Sequence, residues 1–184
     1  MRLVEKAHEH LAQVVKPGDL CVDLTAGNGW DSLFLANMVG EKGLVYVFDI
    51  QGAALLNTSE RLGDEAKFSN FRLIQECHSK FDLHLPREHQ GHISAIIMNL
   101  GYLPGSDKRV ITRHETTIIA LEKSYQWLQK GGCLSIMAYQ THRGASEEVE
   151  AIKNWFSKTF DAKKKFYKGI NPTTSPILFW ICKS

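Results

Sequence analysis

The sequence predicts an α/β fold in which a mostly parallel sheet carries helices on both faces. Two observations predict it: short apolar runs alternate with segments of helical period, and polar or glycine-containing turns follow the ends of those runs. With 184 residues and 43% hydrophobic content, the chain can fill one core of ordinary size, so a single domain over residues 1–184 is expected.

Val4, Ala7, Leu11 and Val14 or Val15 share a helical face, and Pro17-Gly18 ends that helix ahead of the apolar run Leu20 to Leu24. Ser32 to Val39 reads as a helix stopped at Gly40, and Leu44 to Phe48 as a buried strand ending at Asp49. Ala53 to Leu62 is helical again, Phe71 to Ile74 forms a third strand, and His92 to Met98 a fourth that ends at Asn99. Ile118, Leu121, Tyr125 and Leu128 mark a helix closed by Gly131-Gly132, before a strand from Cys133 to Ala138. Val149, Ile152, Phe156 and Phe160 mark the last helix. Lys165 to Tyr167 and Ile177 to Cys182, separated by Asn171-Pro172, are the final strand candidates. Such βαβ units place ligands at the carboxyl ends of the strands. Asp23 to Asp31, Asp49 to Gln51, Glu76 to His78, Asn99 to Tyr102 and Tyr139 to His142 therefore share one rim.

A formal net charge of +2 excludes a broad basic field, so any nucleic acid would be met by a local patch. The four cysteines, Cys21, Cys77, Cys133 and Cys182, show no CxxC pair and read as buried free thiols of a reducing compartment. No apolar run approaches transmembrane length and the first residues are charged, so a cytoplasmic protein without membrane attachment is expected. Among the eight histidines no pair has the spacing and helical setting of a zinc motif, so no metal is expected. His8 and His10, on different faces of the first helix, read as solvated, as do His84, His89 and His92. His78 and His142 fall on the rim.

The turn Asp23-Leu24-Thr25-Ala26-Gly27-Asn28-Gly29-Trp30-Asp31 lies between a strand and a helix, where two glycines let a ligand approach the backbone. Asp49 follows at the end of the next strand, where a carboxylate suits a ribose diol. Two details favour S-adenosylmethionine (SAM) over a dinucleotide. The third glycine of the dinucleotide pattern is replaced by Ser32, and Asp23 and Asp31 suit a cationic sulfonium better than phosphates. The expected cofactor contacts are Asp23, Thr25, Ala26, Gly27, Asn28, Gly29, Asp31, Asp49, Ile50, Gln51, Cys77, His78 and Asn99. Which of Glu76, Cys77 and His78 meets the adenine stays open.

After the fourth strand comes Asn99-Leu100-Gly101-Tyr102-Leu103-Pro104-Gly105. An Asn at a strand end with an aromatic three residues later resembles the Asn-Pro-Pro-Tyr loop of amino-methyltransferases, in which the carboxamide and a backbone carbonyl fix the N–H groups of the target amine. Asn99, Gly101 and Tyr102 are the catalytic candidates. Asp107, Lys108, Arg113, Thr116, His142 and Arg143 are the substrate-binding candidates, with Arg109 also placed to meet a polyanion. Lys163-Lys164-Lys165-Phe166-Tyr167-Lys168 fits either a phosphate contact or a soluble sheet edge.

Together with Asp49-Ile50-Gln51, Asp107-Lys108 and Glu115-Thr116-Thr117, these motifs resemble the YtqB-like (MnmM) family, long labelled rRNA methylases, over nearly the whole chain. The resemblance implies a Rossmann-like class I methyltransferase with a seven-stranded sheet ending in an antiparallel hairpin. It also implies methylation of 5-aminomethyl-2-thiouridine at the tRNA wobble position to the 5-methylaminomethyl nucleoside, with the tRNA anticodon stem-loop as partner and a homodimer left open. The chain departs from the family's Pro-Gly-His-x-Gly-Gly turn with Gln140-Thr141-His142-Arg143-Gly144-Ala145. The alternatives are an rRNA or small-molecule methyltransferase with the same cofactor site, an NAD(P)-dependent reductase, and a non-catalytic RNA-binding module.

Overall fold

The structure, a computed structural model, describes residues 2–101, 111–159, 161–171 and 173–184. Its chain order is α1 (Leu3–Ala12), β1 (Leu20–Asp23), α2 (Trp30–Val39), β2 (Leu44–Asp49), α3 (Gly52–Glu65), β3 (Phe71–Gln75), β4 (Ile93–Leu100), α4 (His114–Trp127), β5 (Leu128–Ala138), α5 (Ala145–Lys158), β6 (Ala162–Lys168) and β7 (Ile177–Lys183). The seven strands form one sheet in the order β3-β2-β1-β4-β5-β7-β6. β1 to β5 are parallel, while β7 runs antiparallel to both β5 and β6, the hairpin that the resemblance implies.

Helices on both faces explain why the central strands read as unbroken apolar runs, since neither side of the sheet is left for polar residues. Cys21, Val45, Val47, Ala95 and Ile97 point to one face, where Leu11 of α1, Leu35 and Val39 of α2 and Leu62 of α3 close the core. Val22, Tyr46, Phe48, Ile96 and Met98 point to the other, beneath Ala120 and Leu121 of α4 and Val149 and Ile152 of α5. α1 is seated on the antiparallel end of the sheet, where Ala7 packs with Met137 and Leu178.

Three features differ from the expectations. Gly131-Gly132 does not stop α4, which ends at Trp127; the pair lies inside β5, where the register with β4 shifts between Ile93 and Ala95. A Cβ on Gly132 would meet the Ile93 carbonyl at 2.7 Å, so the bare backbone is required by strand contact. Two short 3-10 turns, His78–Leu83 and Arg87–His89, are too brief to give a helical period. The third concerns the thiols. Cys133 and Cys182 are joined by a disulfide, whereas Cys21 and Cys77 are free. The two bonded residues face each other across the β5–β7 register with Cα atoms 4.1 Å apart, a proximity that a separation of 49 residues hides.

Among the described residues no helix is long and apolar enough to cross a membrane. β6 is the sheet edge, and Lys163, Lys165 and Lys168 are exposed along it, as a soluble edge requires. Alkylation of the denatured, unreduced protein is expected to label two cysteines, and four after reduction; four labels without reductant would remove the cross-link.

Candidate active site

The turn after β1 is fastened to the strands on either side of it. Leu24 N–H donates to the Ile97 carbonyl of β4 at 2.9 Å, and Ala26 N–H to the Phe48 carbonyl of β2 at 2.8 Å. Gly27 N–H donates to one Asp49 carboxylate oxygen at 3.0 Å, while the other accepts Gln51 N–H at 2.9 Å. Gly29 has φ +79°, and a Cβ there would lie 2.9 Å from the Thr58 Cα, so this position excludes a side chain on two grounds. α3 braces the outer side of the turn. Arg61 Nε donates to the Asn28 carbonyl at 2.7 Å with its guanidinium 3.4 Å over the exposed Trp30 ring, and Asn57 bonds the Asn28 side chain at 3.1 Å. Ile50 stands exposed beside Asp49.

Asp23 lies beneath the turn with no exposure, its oxygens accepting Thr25 N–H at 3.1 Å and the Ser32 hydroxyl at 2.6 Å. Burial, and then the nearby Asp31 carboxylate, push Asp23 up from 3.8 to about 7. Burial raises Asp49 as well. Among the described residues no lysine or arginine pairs with Asp23, Asp31 or Asp49.

Asn99 is the seventh residue of β4, and its main-chain N–H donates to Thr25 Oγ1 at 2.7 Å. Its carboxamide Nδ2 donates to Asp31 Oδ2, and Asp31 Oδ1 lies 2.5 Å from His8 Nε2. The expectation that His8 is solvated is therefore corrected. His8 stacks on Phe34 and bonds Asp31, and His10 bonds the Tyr167 hydroxyl at 2.9 Å, contacts between segments that spacing along the chain does not reveal. The Gly101 carbonyl accepts Thr112 N–H at 2.9 Å and the Leu100 carbonyl accepts Tyr139 N–H at 3.3 Å, which leaves each oxygen a second lone pair. Tyr102, Asp107, Lys108 and Arg109 lie outside the described residues.

His78 is turned inward, its Nε2 3.1 Å from Thr116 Oγ1; that hydroxyl itself donates to the Arg113 carbonyl, so the imidazole is the donor. Burial lowers His78 to about 4, which keeps it neutral near pH 7. Glu76 is taken up by Cys77 N–H at 2.8 Å and by His84 at 3.3 Å, and Cys77 Sγ lies 3.2 Å from Ser79 Oγ. Glu148 of α5, invisible to motif reading because it sits in an ordinary helical pattern, is a buried anchor. It accepts the hydroxyls of Thr112 at 2.8 Å and Thr117 at 2.7 Å, with His142 Nε2 at 3.7 Å. The His142 ring is buried beside Gly101 and Glu148, whereas Arg113 and Arg143 are exposed. No group of three or more metal-ligating side chains occurs among the described residues.

The family model described as "Putative rRNA methylase" matches residues 45–182. The chain belongs to this rRNA methylase family. It is 35% identical to the tRNA (mnm(5)s(2)U34)-methyltransferase, chloroplastic, of Arabidopsis thaliana, with 98% of the chain covered but only 62% of that enzyme's length. A crystal structure from Clostridium thermocellum with the same family description superposes with TM-score 0.93 at 34% identity, covering 100% of this chain and 98% of that one. A "putative methyltransferase" from Streptococcus mutans in complex with SAH gives TM-score 0.87 at 33% identity, covering 100% and 99%. The fold of this rRNA methylase family member is the Rossmann-like class I methyltransferase fold.

Two outcomes follow for the family's architecture. Between about pH 4 and pH 7 the folded chain keeps a proton on Asp23 that the unfolded chain has released, so this residue's contribution to stability is complete at the acid end and lost as pH rises through 7. Asp23→Asn is expected to flatten that decline in urea-unfolding midpoints, and parallel curves for the two proteins would refute it. Glu148→Ala is expected to lower unfolding free energy by about 1–3 kcal/mol, because it leaves the buried Thr117 hydroxyl and the half-buried Thr112 hydroxyl without their acceptor. A loss under about 0.5 kcal/mol would contradict that role.

Proposed function

We propose that this methyltransferase transfers a methyl group from SAM to the 5-aminomethyl nitrogen of a (2-thio)uridine at the tRNA wobble position. The observation that carries the reading is the Asn99 carboxamide, held by Asp31 at the end of β4 beside the glycine turn. The fit to SAM rests on charge: Asp31 and Asp49 stand at the rim with Asp23 buried beneath the turn, none with a lysine or arginine partner among the described residues, and a cation beside them would relieve the burial that raises Asp23 and Asp49. Such a place favours a sulfonium with its ammonium group and disfavours phosphates. The kinship with a structure in complex with SAH, the demethylated form of SAM, supports the same cofactor. SAM supplies an electrophilic methyl on sulfur.

The protein's own residues then have separable tasks. Gly27 and Gly29 keep side chains out of the turn on which the methionine part would lie, and Asp49 would receive the ribose hydroxyls on the lone pairs its backbone bonds leave free. Ile50, exposed beside Asp49, offers the adenine an apolar surface, with Cys77 and Gln51 bordering it. Because Asn99 gives its NH₂ to Asp31, its Oδ1 remains as acceptor for an amine N–H, together with a Leu100 or Gly101 carbonyl. Acceptors that fix the N–H bonds turn the nitrogen lone pair toward the donor, and no dedicated base is needed when the neutral amine binds. Arg113 and Arg143, both exposed, would meet phosphates of the anticodon stem-loop.

Asn99→Ala is expected to abolish methyl transfer while leaving SAM affinity within about twofold. The measurement is tritium incorporation from labelled SAM into separated tRNA and rRNA, with nucleoside mass spectrometry of the wobble position. Incorporation into rRNA alone, or unchanged turnover in Asn99→Ala, would overturn the assignment.

A further inference from the structure

The helix α1 lies outside the strand–turn–helix motif, yet it places one side chain into the line of bonds that ends at Asn99. The His8 ring is parallel to Phe34, with centroids 4.0 Å apart and planes 6° from coincidence, so its plane is set by stacking. The helix is seated by Ala7 and Leu11, which are 6% and 0% exposed. His8 Nε2 is then 2.5 Å from Asp31 Oδ1, and Asp31 Oδ2 accepts from Asn99 Nδ2.

We propose that His8 is a positioning residue for methyl transfer, fixing through Asp31 which end of the Asn99 carboxamide faces the acceptor. The inference rests on the reading of Asn99 given above. The need for it comes from the shape of a carboxamide. Its NH₂ and oxygen ends are nearly alike in size, and a flipped Asn99 would present donors to an amine that must also donate. A carboxylate only accepts, so Asp31 selects the NH₂ end. One bond leaves a carboxylate free to turn; a second, from the stacked imidazole on the opposite oxygen, fixes it. For that bond the His8 Nε2 carries the hydrogen, because its partner has none to give. His8 touches neither donor nor acceptor in this scheme and acts through two intervening side chains.

The test compares His8→Phe, which keeps an aromatic ring on Phe34 without the N–H, and His8→Gln, which restores an N–H donor, using labelled SAM and tRNA that carries the aminomethyl wobble uridine. His8→Phe is expected to lower kcat on the order of 10- to 100-fold, as for small misplacements of a reacting group, with the KM for SAM within about twofold. His8→Gln is expected to recover part of the loss. Turnover of His8→Phe within about twofold of the parent chain, or equal losses of kcat, SAM affinity and thermal midpoint in both variants, would overturn the proposal. Asn99→Ala run alongside separates the two readings, because its retention of activity would remove the acceptor site itself, whereas an inactive Asn99→Ala with a normal His8→Phe removes only the role of His8. An acceptor-free readout is the Asn99 side-chain NH₂ signal in nitrogen NMR, identified by its loss in Asn99→Ala. Its hydrogens are expected to exchange slowly with water in the parent chain and faster in His8→Phe, and unaltered exchange would refute the linkage.

Discussion

Everything at the site depends on β1 having parallel neighbours on both sides. β2 and β3 are laid down to one side of it, and the chain then returns to add β4 on the other. At that reversal the connections leave in opposite directions and a crevice opens above the strand ends. Backbone bonds from the first turn to Phe48 and Ile97 tie the crevice floor to both neighbours, so the turn cannot shift without disturbing the centre of the sheet. The turn is accordingly tied to the core beneath it.

Into this floor the sequence brings three carboxylates, an arrangement that costs stability and is partly offset locally. α2 carries Asp31 in its first turn, where negative charge is favoured. The Ser32 hydroxyl and the Thr25 N–H supply the remaining compensation to Asp23. What is left is negative character at Asp31 and Asp49, which is a poor setting for phosphate and a good one for a cation.

Much of this arrangement was legible from residue order. The strands were readable because both faces of the sheet are covered, which turns each central strand into an apolar run, and the turn after β1 because glycine, aspartate and strand end coincide within a few residues. What escaped was whatever depends on segments meeting in space. His8 and Asp31 are 23 residues apart, Glu148 reaches back to Thr112 across 36, and Cys133 finds Cys182 across 49. Gly131-Gly132 was misread for a related reason, since a glycine that ends a helix and one that lets a neighbouring strand approach look alike in one dimension.

The seating of α1 has a consequence for how the protein is made. Ala7 packs with Leu178, and Leu11 belongs to the cluster that contains Trp180, so α1 rests on β7, a strand synthesised long after it. The glycine turn and its flanking strands are local enough to assemble while synthesis continues, but the segment bearing His8 has no completed surface to settle on until β7 has joined β5. A nascent chain stalled before that strand would hold a formed glycine turn while the helix bearing His8 still lacked its seat, and the two would mature at different times.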